Sequence, residues 1–217
     1  AGSYEITQGT TPRTLLQKLV RGDEALRTLT LVEGWNIRQV RAALASAEQL
    51  KPETAGLGNE ALMEALGRPG VHPEGRFFPD SYTYAKGSSD LALLRRAMVA
   101  MDKKLDAAWA QRAPDVQIKT PEEALILASI IEKETGADEE RFLISSVFHN
   151  RLKLRMKLQT DPTILYGLAL IEGKLVNNIK RVHLTQKQPY NTYQISGLPP
   201  GPIANPGKSA LEATLQP

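Results

Sequence analysis

From Ser89 to Ala113 the apolar residues fall at 91, 94, 98, 101, 105 and 109. That heptad-like spacing predicts one long amphipathic helix with a packing stripe. A second helix is announced by Thr120-Pro121-Glu122-Glu123: Thr at the N-cap, Pro at the first helical position, Glu at N3 to close a capping box. It continues through Ala124-Leu-Ile-Leu-Ala-Ser-Ile-Ile131 with no breaker until Gly136. With Leu127 as origin and about 100° per residue, Ile130, Ile131 and Glu134 fall within roughly 60° of it, while Glu132 and Lys133 land roughly 120–140° away. The wheel thus places Glu134 alone, among the charges of Glu132-Lys133-Glu134, on the Ile/Leu face. Two readings of Glu134 follow. A carboxyl in apolar surroundings holds its proton to higher pH, which suits a general acid. A helix-end Glu can also snorkel its head to water or to a Lys or Arg.

The N-terminal quarter repeats itself at an offset of 25 residues. Tyr4-x-Ile6-x-x-Gly9-x-x-x-Arg13-x-Leu15-x-x-x-Leu19 aligns with Leu29-x-Leu31-x-x-Gly34-x-x-x-Arg38-x-Val40-x-x-x-Leu44. Each copy reads as an alternating strand, a Gly turn and an amphipathic helix, and two such βα units would pack as one small module. Residues 51–74, rich in Pro, Gly and Glu, read as a connector with one short helix at Asn59–Leu66. An aromatic, extended segment follows from Glu74 to Tyr84. Another helix is expected within Ala137–Lys157, its apolar residues interrupted by Asn150-Arg151. Beyond it the chain reads as turn-rich, through Leu158-Gln-Thr-Asp-Pro-Thr163, Pro189-Tyr-Asn-Thr-Tyr193 and Gly197–Gly207. Six of the 14 prolines fall between residues 189 and 217, which excludes regular helix or central strand there. A short helix restarts at Ser209–Leu215. The class is α+β.

Composition narrows the chemistry. The 217 residues, 41% hydrophobic and 24% charged, are those of an ordinary globular protein of one or two domains. A net charge of +3 is too weak to argue for nucleic acid and compatible with an anionic polymer. No run approaches the length of a membrane span and no signal peptide is visible. Both ends look cut, so the chain is expected to be part of a longer protein. Without cysteine, disulfide and thiol chemistry are excluded. The three scattered histidines offer no metal spacing, and no cofactor is expected. No GxSxG or Walker A motif is present. The glycines of 197–207 are interleaved with prolines, which lack the N–H groups of a phosphate cradle. Carboxylate chemistry beside a polar, aromatic groove remains. A two-carboxylate glycosidase needs a second acid; Asp161 is one candidate, and a turn-forming Asp before Pro is the alternative.

Val32-Glu-Gly34, Phe78-Pro-Asp-Ser-Tyr82, Ala128-Ser-Ile-Ile-Glu-Lys-Glu-Thr135, Val147-Phe-x-Asn-Arg-Leu152, Leu158-Gln-Thr-Asp-Pro-Thr163, Tyr190-Asn-Thr-Tyr193 and Gly197-Leu-Pro-Pro-Gly-Pro-Ile203 occur in this order. Together they resemble the YceG-like endolytic murein transglycosylases, the MltG family, over nearly the whole chain. The resemblance implies a LysM-like, glycan-binding module at 1–50, a connector at 51–74 and a lysozyme-like mixed catalytic domain at 75–217. It implies non-hydrolytic cleavage of the β-1,4 bond between N-acetylmuramic acid and N-acetylglucosamine in nascent strands, leaving 1,6-anhydro ends. The family's catalytic Glu carries over to Glu134, in the Glu-Ser-like register Glu134-Thr135 of lytic transglycosylases. In that mechanism one carboxyl serves twice and the substrate's N-acetyl group supports the positive charge. Asp161 is then a binding or loop-shaping residue. Asn150, Arg151, Gln159, Thr160, Tyr190, Asn191 and Tyr193 are the other candidates for lining the groove. Asn150-Arg151 can equally be a buried polar clamp. The implied parent is anchored in the bacterial inner membrane by one N-terminal helix, with this portion outside the cytoplasm. Its implied partners are peptidoglycan strands and the wall-synthesis machinery. A non-catalytic peptidoglycan-binding scaffold is the alternative.

Overall fold

A computed structural model describes residues 4–21 and 25–217. The elements are α1 (Pro12–Arg21), β1 (Leu26–Thr30), α2 (Ile37–Ser46), α3 (Asn59–Ala65), β2 (Ser81–Ala85), α4 (Asp90–Ala110), α5 (Pro121–Glu134), α6 (Asp138–Lys153), α7 (Asp161–Glu172), α8 (Arg181–Thr185) and α9 (Lys208–Leu215). The protein is mixed α+β, about half helical, with one two-stranded antiparallel sheet among the described residues.

That sheet corrects the reading of the repeat. β1 pairs with β2, Leu26 opposite Ala85 and Thr30 opposite Ser81, and not with the first copy. A strand needs a partner to satisfy its backbone. β1 finds one in the aromatic segment, and residues 4–7 carry no strand. The first copy's opening at Ala1–Ser3 lies outside the described residues. The helices of the two copies also differ. α2 buries Ile37, Val40 and Leu44, whereas α1 buries nothing. Among the described residues the first copy thus contributes no buried side chain.

Two cores meet along α4. Its first half places Leu93, Leu94, Ala97 and Met98 against α2, α3, Phe77, Tyr82 and Tyr84. Its second half places Met101 and Leu105 against α5 and α9. The connector is itself core: Leu62 and Met63 of α3 are fully buried. α5 lies at the centre of the second core, touching α4, α6, α7 and α9. Thr120 caps it by accepting the Glu123 N–H, as its sequence predicts, while Glu123 reaches past the N-cap to the Lys119 N–H at 2.5 Å. α6 turns Arg141, Ser145, Phe148 and His149 inward and leaves Phe142, Leu143 and Val147 exposed. Buried His149 accepts from Gln117 N and lies 2.8 Å from Thr214 O, and burial lowers its pKa.

α7 is a helix where the sequence suggested a turn. Pro162 stands in its first turn, a position that favours helix initiation, and Gly173 closes it in the left-handed conformation. The Pro/Gly-rich loop after Gly197 is well packed. Asn205, 1% exposed, accepts from Phe77 N (3.0 Å) and donates to Trp35 O (3.0 Å), while its carbonyl takes the Gly34 N–H (2.9 Å). Gly34, at φ 76°, makes the turn that reaches it.

Candidate functional site

The end of α5 overturns the wheel. Glu132, assigned to the outward side, is buried at 9% exposure, and Glu134 is exposed. Glu132 Oε1 pairs with Arg141 Nη2 at 2.9 Å, and its Oε2 accepts the Gly207 N–H at 2.9 Å. Arg141 also pairs with Asp138. Burial raises the Glu132 pKa, against the pull of the Gly207 N–H and Arg141. The pair ties the end of α5 to the starts of α6 and α9. A Cβ at Gly207 would meet the end of the exposed Glu33 side chain, which would have to move aside. The two glutamates thus separate by position along α5: one held in the core, the other at its mouth.

Glu134 is the last residue of α5. Its Oε1 accepts a hydrogen bond from the Thr160 hydroxyl. Thr160 is itself fixed from behind. Its N–H donates to Thr192 Oγ1 (3.0 Å), and its carbonyl accepts from Thr163 Oγ1 (2.7 Å). The Thr163 and Thr192 hydroxyls meet at 2.8 Å, and all three threonines are buried. Such a satisfied polar cluster is rigid, so the Thr160 hydroxyl is aimed rather than free to rotate away.

Around this pair lie several of the expected residues. Tyr193 donates its hydroxyl to Asp161 Oδ1 at 2.8 Å. Burial raises the Tyr193 pKa, and neighbouring Asp161 and Glu134 raise it further. Arg151 donates to Gln159 Oε1 (3.1 Å) and to the Lys157 carbonyl (2.9 Å), which braces the loop carrying Gln159 in the left-handed region, φ 54°. Gln159 N–H donates to Thr192 O. Asn150 is exposed on α6. Two residues expected in the groove are structural instead. Asn191 is fully buried; its Nδ2 donates to the carbonyls of His183 (3.0 Å) and Gln186 (2.7 Å), and its Oδ1 takes the Tyr193 N–H. Tyr190 packs edge-on against Tyr166, ring centroids 4.8 Å apart.

Sequence reasoning missed Glu74 and Tyr166. Glu74, 2% exposed, accepts the Ile37 N–H at the start of α2 (2.9 Å) and the Tyr166 hydroxyl (3.0 Å). Burial pushes its carboxyl up to about 7 despite those bonds. Nothing periodic marks either residue; their meeting joins α2 to α7 across 92 residues of chain. Among the described residues no group of His, Cys, Asp and Glu is arranged to hold a metal. No described helix is long and apolar enough to cross a membrane.

A buried helix thus delivers one solvent-facing glutamate, Glu134, beside Thr160, Asp161 and Tyr193. The chain belongs to the YceG-like family, whose model matches residues 1–217. It is 33% identical over its whole length to an endolytic murein transglycosylase of Bacillus subtilis, and 29% identical over 99% of its length to one of Streptococcus pneumoniae. It spans 64% and 44% of those relatives' lengths. A crystal structure of a yceG-like protein from Listeria monocytogenes superposes with a TM-score of 0.72 at 30% identity, covering 99% of this chain and 75% of that one.

Proposed function

We propose that this chain is the catalytic part of an endolytic murein lytic transglycosylase, with Glu134 as its acid and base. The observation that carries the reading is the setting of that carboxylate. One oxygen is held by Thr160, and no protein group among the described residues hydrogen-bonds the other. A protonated Glu134 gives its proton to the glycosidic oxygen as the C1–O bond between muramoyl and glucosaminyl residues breaks. The resulting carboxylate takes the proton from the muramoyl C6 hydroxyl as O6 bonds to C1, which regenerates the acid. No water is consumed, and the 1,6-anhydro end and the released chain together contain every atom of the substrate. The N-acetyl group of the substrate supports the positive charge at C1. Asp161, held by Tyr193, shapes the shelf and is not a nucleophile. Asn150, Arg151, Gln159 and Thr160 complete the shelf from the other side.

On the same reading, residues 1–50 contribute LysM-like glycan binding and 75–217 form a lysozyme-like catalytic portion, with α3 of 51–74 packed into the core between them. The β1–β2 ladder and α4 pack these portions into shared cores, so they act together on one strand. The parent protein would carry this portion outside the cytoplasm on an N-terminal membrane anchor, beside the enzymes that synthesise the wall. The test is incubation of purified glycan strands with the wild-type protein, Glu134→Gln and Glu132→Gln. The expected result is anhydro-ended products from the wild type and none from Glu134→Gln. Equal anhydro products from both would remove Glu134 from the chemistry. Reducing ends would mean a hydrolase, and binding without cleavage by the wild type would mean a peptidoglycan-binding scaffold.

A further inference from the structure

A cleft runs away from the Glu134 shelf between the β1–α2 turn and α7, in two consecutive chambers. The first, about 240 Å³, is lined by Gly34, Asn36, Gln39, Lys133, Pro162 and Tyr166, among others. Lys133 and Pro162, which line it, are the chain neighbours of Glu134 and Asp161. The second, about 190 Å³, continues past Tyr166 to Arg38, Arg41, Asn59, His72 and Glu74. Asn36, Tyr166, Ala169 and Leu175 line both. Together the chambers have the volume of a small-ligand site, roughly 300–1,000 Å³.

Their chemistry is specific. Asn36 and Gln39 spend their amide oxygens on one another's backbone N–H in the α2 capping box, at 3.1 and 3.0 Å. No group among the described residues accepts from their amide NH₂ groups, which leaves both as donors for the cleft they line. Leu165, Tyr166, Ala169 and Ile203 supply an apolar floor. Amide donors over an apolar and aromatic floor match an acetamido sugar, whose carbonyl and hydroxyls accept while its methyl and ring face pack. The second chamber carries two cations, Arg38 and Arg41, beside the buried Glu74 carboxyl. Arg41 donates through Nη1 to Leu57 O (2.8 Å) and through Nη2 to Asn59 Oδ1 (3.4 Å), and its Nε is buried with no partner among the described residues. Arg38 is exposed at the same end. An anionic substituent on the sugar would meet both.

We propose that this cleft is a binding track for two consecutive N-acetylated amino sugars on one side of the scissile bond, with the acidic substituent of the farther sugar set against Arg38 and Arg41. The proposal rests on the transglycosylase reading for its substrate class, but its test does not depend on cleavage. In a Glu134→Gln background, binding is measured calorimetrically for muramoyl–glucosaminyl oligosaccharides of increasing length, from a disaccharide to an octasaccharide, with and without stem peptides. The parent should tighten with length. Ala169→Trp, which fills the cleft from the exposed side of α7, and Gln39→Ala, which removes a donor, should each lose at least about tenfold of that tightening. Arg38→Ala should lose it only for sugars carrying the acidic substituent. Two results would overturn the proposal: length dependence retained by both Ala169→Trp and Gln39→Ala, or losses confined to peptide-bearing strands, which would make the cleft a peptide site. If the wild type cleaves nothing but the length dependence and its loss are observed, the transglycosylase reading fails and the track stands.

Discussion

Glu132→Gln and Glu134→Gln change the last turn of one helix by a single atom each, and the structure assigns them opposite consequences. Glu132 forms a buried ion pair with Arg141, both side chains at most 5% exposed, and holds the Gly207 N–H. An amide in its place keeps one acceptor and loses the charge, leaving the Arg141 guanidinium buried against Asp138, whose side chain is 72% exposed. Breaking a buried pair on one side costs about 3–5 kcal/mol. The residual acceptor and Asp138 place this case at the lower end, about 3 kcal/mol. For a chain of this size that corresponds to roughly 6–12 °C in Tm. Glu134 is exposed, and its replacement should move stability by no more than about 0.5 kcal/mol. Thermal and urea melts of both variants, read beside strand cleavage at a temperature where both are folded, give the assay. Glu132→Gln should lose stability and retain cleavage, while Glu134→Gln should keep stability and lose cleavage. A Glu132→Gln melt within about 2 °C of wild type would refute the view that this pair holds the end of α5. The reverse pattern of cleavage would exchange the roles of the two residues.

Thr160→Val removes the hydroxyl that orients Glu134. A hydrogen bond to a charged group is worth about 1.5–3 kcal/mol, so kcat/KM on glycan strands should fall roughly 10- to 150-fold, with Thr160→Ser restoring most of it. Glu74 gives a pH dependence of defined sign. Its folded pKa, about 7, lies above the ordinary 4.5, so the folded state binds more protons and this stability, complete below pH 4.5, is lost as pH rises through 7. The loss is about 3 kcal/mol at 1.36 kcal/mol per unit. Glu74→Gln, which keeps one acceptor for the Ile37 N–H and turns its NH₂ toward the Tyr166 oxygen as donor, should flatten that dependence in melts at pH 5 and 8; an unchanged slope would contradict it. Leu62→Ala should destabilise by about 2–5 kcal/mol in urea titrations because α3 is core, whereas a mere linker would tolerate it.

Local signals located the starts of α3, α4, α5, α6 and α9 to within a residue or two. Thr120-Pro121, Ser89 before the α4 stripe and Asn36 before α2 each satisfy the backbone N–H groups of a helix start from nearby side chains. Pro162 was read as a turn because the same Asp-Pro pair can serve either, and only the packing of α7 on α5 decides for helix. The repeat is legible in the sequence. The partner of its strand is not, because pairing of β1 with β2 joins segments some fifty residues apart. Of the site, Glu134, Thr160, Asp161 and Tyr193 were legible as polar residues in motifs. The contacts of Thr160 with Glu134, Glu74 with Tyr166 and Glu132 with Arg141 were not, since each joins separate elements.

What the sequence by itself determined is the helices other than α7 and α8, the α+β class and the motif that brings two glutamates to the end of α5. Only the tertiary structure decided which of them is buried. A helical wheel assumes one face inward and one outward, and α5 has no outward face. Packed between α4, α6, α7 and α9, it is buried all round. Exposure on such a helix is set by distance along the axis, not by angle around it. Glu132 therefore stops within the core and takes Arg141 as its partner, and Glu134, two residues on, emerges where the helix ends.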